Sequence, residues 1–232
     1  MSVSEAEPQA LTAEEVARRL ARVTGGAAGA VPSEGHPKRW ALTTHVVDNL
    51  VGFIRNPAER WYLGIPEIDL ATRGVGRGEV MLVVGRSHTG KSQVLLNSIV
   101  TNLVNNTATR VVIFSMDEPR ELVVMKLYCL LRGKSSTEVE EAIKAGDKDT
   151  LEDLERAAGE ELSRVAIIDE SISLPVMADA MDEAREWWGC DPSFVMLDYL
   201  ELLPGGESDA TGVTSKAQAV KRWAKTQRVP VG

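Results

Sequence analysis

Gly85-Arg86-Ser87-His88-Thr89-Gly90-Lys91-Ser92 has the residue types and spacing to hold phosphate. The pattern is G-x-x-x-x-G-K-[ST], in which a glycine-rich loop cradles the phosphates of a nucleoside triphosphate. Gly85 and Gly90 permit a backbone path that turns successive N–H groups toward an anion. Lys91 can reach the β- and γ-phosphates, and the Ser92 hydroxyl can ligate Mg²⁺. Arg86, Ser87, His88 and Thr89 complete the candidate loop. Such a loop works only between a strand and a helix. The flanks supply both: Val80-Met81-Leu82-Val83-Val84 reads as a buried strand. Residues 92–104 carry Leu95, Leu96, Ile99, Val100 and Leu103 at helical spacing. The helix start adds free N–H donors and its dipole. The sequence therefore predicts a nucleoside triphosphate and Mg²⁺ as ligands.

Magnesium at such a loop needs an acidic partner at the end of another strand. Two apolar runs compete: Val165-Ala166-Ile167-Ile168-Asp169-Glu170 and Phe194-Val195-Met196-Leu197-Asp198-Tyr199. By pattern alone the first is the better match, with Glu170 as a ready water-activating base.

The 232 residues are 44% hydrophobic and 26% charged, enough for a substantial core with one domain and appendages. The net charge of −8 argues against a surface coated for nucleic acid, though not against a local basic loop or the inner face of a ring. Cys129 and Cys190 fit no metal or redox spacing, which suggests a reducing cytoplasm. No apolar run approaches a membrane span, and the N-terminus has no signal-peptide pattern.

Along the chain, residues 1–10 read as disordered. A capping box at Thr12-Ala13-Glu14-Glu15 opens a short helix with Val16, Leu20 and Val23. Residues 25–38 are a Gly/Ala/Pro linker and 43–54 a second helix, giving a flexible segment 1–38, a linker helix 39–62 and a core 63–232. The glycine-rich Gly74-Val75-Gly76-Arg77-Gly78 precedes a strand instead of following one, so it is a turn and no dinucleotide fingerprint. Beyond the phosphate loop the reading alternates. Strands fall at 110–115, 164–169 and 194–198, and another begins at Val229. Helices fall at 119–131, at 135–161 with a break near Gly146, at 173–188 and at 215–227. The helix 173–188 is expected to bury Val176, Met177, Ala180, Met181, Ala184 and Trp188. Strand–helix alternation with short connections means a mostly parallel α/β sheet flanked by helices.

From about Leu63 onward the chain resembles the motor domain of DnaB-type replicative helicases, within the RecA-like family. The resemblance rests on four motifs in order. Gly85-Arg86 through Gly90-Lys91-Ser92 is similar to that family's phosphate loop. Phe114-Ser115-Met116-Asp117 resembles its Phe-Ser-Leu-Glu, and Leu197-Asp198-Tyr199-Leu200-Glu201-Leu202 its Asp-Tyr-Leu-Gln-Leu. Ala224-Lys225 ahead of Val229-Pro230-Val231 resembles the helix and strand that follow. The resemblance implies a RecA-like core with ATP as its nucleotide, Asp198 as the Mg²⁺ partner and Asp169-Glu170 as an ordinary strand end. The family's water-positioning Glu falls on Asp117, one methylene shorter, with Glu118 beside it; either carboxylate is a candidate catalytic group together with Lys91. Residues 1–62 are too short and too Gly/Ala-rich for the helical domain that usually precedes the motor.

The resemblance also implies a ring or filament on single-stranded DNA, hexameric in the intact protein. The loop 204–215 takes the place of a DNA-contacting loop, although Gly205-Gly206-Glu207-Ser208-Asp209 is acidic. Lys216, Lys221, Arg222 and Lys225 form a basic face behind it. A RecA/RadA-like recombination ATPase and a nucleotide-binding module without helicase activity are the alternatives. Val229-Pro230-Val231-Gly232 opens a strand. In the resembling motors that strand leads to a polar residue near the γ-phosphate and then to an arginine that enters the neighbouring subunit. The 232 residues alone are therefore expected to bind nucleotide with little DNA-stimulated hydrolysis.

Overall fold

The computed structural model describes Leu50 and residues 60–86, 88–170, 172–204 and 210–232, and residues Ala58–Gly232 form one compact unit. The expected segments at 1–38 and, apart from Leu50, the helix at 43–54 lie outside the described residues, as do Ser87 and residues 205–209.

A parallel sheet organises this unit. Its three regular strands are β1 (Val111–Ser115), β2 (Val165–Ile168) and β3 (Phe194–Asp198), in the order β2-β1-β3. In register, Val111 lies opposite Val165 on one side and Phe194 on the other; Ser115 lies opposite Asp198. Beyond β3 the sheet continues through Val231, which bridges in parallel both to Val195 and to Val80. The lanes therefore run β2, β1, β3, Val231, Val80. The central strand β1 is buried at every residue, which explains its unbroken Val-Val-Ile-Phe run: both faces are covered.

The helices cover both faces. α1 (Pro66–Thr72) precedes the phosphate loop and α2 (Lys91–Asn105) follows it. After β1 come α3 (Arg120–Arg132), α4 (Ser136–Ala145) and α5 (Lys148–Gly159). α6 (Leu174–Trp188) joins β2 to β3, and α7 (Ala210–Gln227) leads back to Val231. Alternation along the strands divides the core. Val111, Ile113, Phe194 and Met196 meet Leu96, Ile99 and Leu103 of α2 and Leu127 and Tyr128 of α3. Val112, Phe114, Val195 and Leu197 meet Met177 and Met181 of α6 and Val220 and Trp223 of α7. On the first face Trp61 stacks on Phe194 with ring centroids 4.2 Å apart, and its indole N–H donates to Ser98 Oγ at 3.1 Å. That contact anchors the segment entering the core to both α2 and β3.

Several expectations need adjusting. The run at 80–84 is not a regular strand. Val80 alone bridges, and Met81 donates its N–H to the Val231 carbonyl at 2.8 Å. Residues 82–84 meet no ladder partner among the described residues. α7 starts at Ala210, five residues ahead of its basic stretch. On α6, Met177, Met181 and Ala184 are buried but Val176 is exposed, because a stripe at 177, 181, 184 and 188 leaves 176 on its flank. The break near Gly146 is real: that residue has φ of 69° and caps α4, whose start carries a full capping box between Ser135 and Glu138. α1 has no counterpart in the sequence reading. Pro66 opens it, and the Asp69 carboxylate accepts the N–H groups of Leu63, Gly64 and Ile65.

Candidate nucleotide site

The loop 85–92 is built to remain tight. A Cβ on Gly85 would lie 2.7 Å from the Thr89 hydroxyl oxygen, closer than real Cβ atoms approach. That hydroxyl is fixed by donating to the Arg86 carbonyl at 2.7 Å. Gly90 holds φ at 88° as the residue before α2, a left-handed conformation that costs glycine little. α2 starts with no side-chain cap and with no acidic residue in its first turn. A 15-residue helix with an uncapped positive end is a ready anion site. Lys91 lies back over the loop, its Nζ donating to the Arg86 carbonyl at 3.1 Å, and is only partly buried. A short swing would move its charge from that carbonyl to an anion in front of the helix.

Lane order separates the two acidic strand ends. At about 4.8 Å per lane, the end of β3 lies roughly 10 Å across the sheet from the phosphate-loop lane and the end of β2 roughly 19 Å. Asp198 is half-buried, with the Ser92 hydroxyl close enough to act on its carboxylate. Burial pushes the Asp198 carboxyl above its ordinary value, and the charges of Glu118 and Asp117 add to that. The Ser92 hydroxyl and the Lys126 charge oppose it. Asp169 is occupied elsewhere. It accepts the Arg120 backbone N–H at 3.0 Å, holding the start of α3, and pairs with the Arg120 guanidinium. Those bonds keep its carboxyl below the usual carboxylate range.

Asp117 and Glu118 follow β1, one lane beyond β3. Asp117 is exposed. Glu118 is not free: both of its carboxylate oxygens accept from Lys126 Nζ, one helical turn and more into α3. Its backbone carbonyl also accepts the Ser115 hydroxyl at 2.7 Å. Lys91, Ser92, Asp117, Glu118 and Asp198 thus come from three separate segments to one end of the sheet. Lys126 and the Ser115 hydroxyl join them without any signal in the sequence. Of the basic face on α7, Lys221 donates to the Gly78 carbonyl at 2.9 Å, so it supports the turn at the opposite end of the first lane.

The residues fit a magnesium nucleotide in their donor set as well as in position. Among the described residues, no group of three or more His, Cys, Asp or Glu side chains could cage a metal. Ser92 and Asp198 supply two oxygen donors. Mg²⁺ is held in just that way, by one or two protein oxygens completed by phosphate and water.

Parallel lane order, the glycine-rich loop and the uncapped helix behind it together define an α/β core of RecA-like type. Residues 62–231 match the family described as "DnaB-like helicase C terminal domain", and the chain belongs to that family. The match favours the DnaB-type reading over recombination ATPases. The chain is 25% identical over 201 residues to the replicative DNA helicase DnaB of Nostoc sp. (strain PCC 7120 / SAG 25.82 / UTEX 2576), covering 81% of this chain and 22% of that protein. It is 27% identical over 175 residues to the replicative DNA helicase DnaB of Geobacillus stearothermophilus, covering 72% of this chain and 37% of that one. It therefore spans well under half the length of these relatives. Among solved structures, one ATPase domain superposes with a TM-score of 0.67 at 18% identity, over 83% of this chain and 70% of that one. A DnaB-like replicative helicase, solved in a study of its interactions with primase, superposes with a TM-score of 0.62 at 17% identity, over 94% and 52%. These likenesses establish the fold. Among the described residues no helix is long and apolar enough to cross a membrane.

Proposed function

We propose that this chain binds Mg-ATP at the loop 85–92 and acts as the hydrolytic motor of a DnaB-type helicase. Its track is single-stranded DNA, and it works in the cytoplasm as a ring of copies, six in the intact assembly. The observation that carries the reading is the uncapped, acid-free start of α2 with Lys91 and Ser92 at its mouth and Asp198 beside them.

The chain's residues divide the work. The α2 N-terminus and the loop N–H groups bind the phosphates, and Lys91 leaves the Arg86 carbonyl to pair with the β- and γ-phosphates. Ser92 and Asp198 would hold Mg²⁺, which would supply charge neutralisation at the phosphates. Asp117, exposed and outside the ion pair that holds its neighbour Glu118, orients the attacking water by accepting a proton from it. Family membership and the relatives' helicase names support the DNA and ring assignments. The two cysteines, both unpaired, suit a reducing compartment.

Calorimetric titration with a non-hydrolysable ATP analogue tests the site. Lys91→Ala is expected to abolish tight Mg²⁺-dependent binding while leaving the thermal unfolding curve unchanged, because Lys91 contributes charge and little packing. Undiminished affinity in that variant would remove the phosphate-loop assignment. Light scattering with single-stranded DNA then tests the ring.

A further inference from the structure

We infer that Lys126 is a positioning residue of the metal site: it holds Glu118 against α3 and neutralises it, so that Asp117 and Asp198 alone set the charge a metal meets. The inference rests on the nucleotide site proposed above. Asp117 and Glu118 follow β1 and Asp198 ends β3, so three carboxylates lie at the same end of two neighbouring strands, although they close no metal cage. Ser115 lies opposite Asp198 in the sheet, and the Met116 N–H donates to the Asp198 carbonyl at 2.8 Å, so the segment carrying Asp117 and Glu118 is tied to the Asp198 strand. A divalent ion there would otherwise face three negative charges in a partly buried setting. Such a cluster would attract the ion strongly but would also bring Glu118 into competition for it.

The geometry prevents that competition from two directions. Lys126 Nζ takes both Glu118 oxygens, which leaves that carboxylate turned toward α3. The Ser115 hydroxyl, bonded to the Glu118 carbonyl, fixes the backbone from which the side chain departs. Both members of the pair are about one-third exposed, so the pair is held in place without being sealed from water. Its charge still reaches the metal side, where Lys126 and Glu118 act on Asp198 with opposite signs. Glu118 thereby becomes a neutralised strut. Asp117, one residue earlier and exposed, remains the available carboxylate.

A neutral pair makes a prediction that a purely structural contact does not. Removing either member alone changes the local charge by one unit, with opposite sign, and removing both restores neutrality. Beside a divalent ion, one unit of charge at this range corresponds to a shift of about tenfold in the metal concentration required. The experiment is binding of a non-hydrolysable ATP analogue to the full 232-residue chain across a Mg²⁺ series. Glu118→Gln should raise the half-saturating Mg²⁺ concentration about tenfold, and Lys126→Met should lower it by a similar factor. The double variant should return to within about twofold of the original, and Lys126→Arg should leave the curve in place. Single variants that overlay the original, or that move the same way, would overturn the inference. If Lys126→Met does not fold, Glu118→Gln and Lys126→Arg still decide it, since an unshifted Glu118→Gln curve is fatal. A chain that binds the analogue with Mg²⁺ yet shows unshifted variants loses this inference alone. A chain with no Mg²⁺-dependent binding at all loses the nucleotide site and this inference with it.

Discussion

Two strand ends in this molecule look alike and are put to different uses. β2 and β3 are both short, apolar, parallel to β1 and adjacent to it; β3 finishes at an aspartate and β2 is followed directly by one. Asp198 ends the strand on the phosphate-loop side of β1, is influenced by the Ser92 hydroxyl and is pushed up by burial. Asp169 lies on the far side of β1, receives the Arg120 N–H and guanidinium and is held down by them. The residue type and its place at a strand end are equal in the two cases. What differs is the lane, and the lane decides whether the acid meets a hydroxyl at the head of α2 or an arginine at the head of α3.

The largest expected effect concerns the strand between them. If the acid that follows β1 serves the reaction, Asp117→Asn should lower DNA-stimulated turnover by about 10²–10⁴-fold with little change in nucleotide affinity. The measurement is steady-state hydrolysis on an assembly that turns over. A loss of affinity equal to the loss of turnover would assign Asp117 to binding instead.

Next in size is the direct comparison. Asp198→Ala should weaken Mg²⁺-dependent nucleotide binding by about tenfold or more, on the scale of losing a charged ligand bond, whereas Asp169→Ala should leave the titration unchanged. The reverse result would exchange the two strands' roles.

The smallest effect is a difference of sign in metal-free, nucleotide-free protein. The Asp198 carboxyl is raised in the folded state, so its contribution to stability is lost as pH rises through the unfolded value, near 4, toward the folded one. Asp169 is depressed, so its contribution is present above that unfolded value and is lost as pH falls through the folded one. At neutral pH, Asp198→Asn should therefore raise the melting temperature by a few degrees and Asp169→Asn should lower it. Shifts of the same sign would mean that the two environments are not opposed.

The helices and the central strands are legible in the sequence because their apolar spacing is strong: α2, β1, β3 and the Gly146 break follow from periodicity and punctuation. The loop residues are legible for a related reason, since Gly85, Gly90, Lys91 and Ser92 have fixed spacing within one short segment. Lane order is not legible. Nothing in Val165-Ala166-Ile167-Ile168-Asp169 records that it lies on the far side of β1, so pattern alone prefers the more distant strand end, and only the resemblance points to Asp198. The Glu118–Lys126 pair is equally hidden, because Glu118 sits outside α3 and no helical spacing links it to Lys126. α1 has a signal, Pro66 with acidic residues in the turn behind it, that is too short to stand out. The run at 80–84 has strand composition, but composition cannot supply a partner.

The lane that carries the phosphate loop also has a history in time. Its fixing contacts, Val231 to Glu79 and Met81 and Val229 to Gly78, join residues about 150 positions apart. By contrast, α3, α4 and α5 are closed by neighbours a few residues away, as at the Ser135 capping box. Contacts that span most of a domain must overcome a large loop-closure entropy and form late. During synthesis the loop therefore leaves the ribosome early and waits through α2 to α7 before its lane can be locked. The lane is therefore locked only after α7 has been made, and an interrupted or slow translation of α7 would leave β1 and α3 to α5 complete beside a phosphate loop not yet held in the sheet.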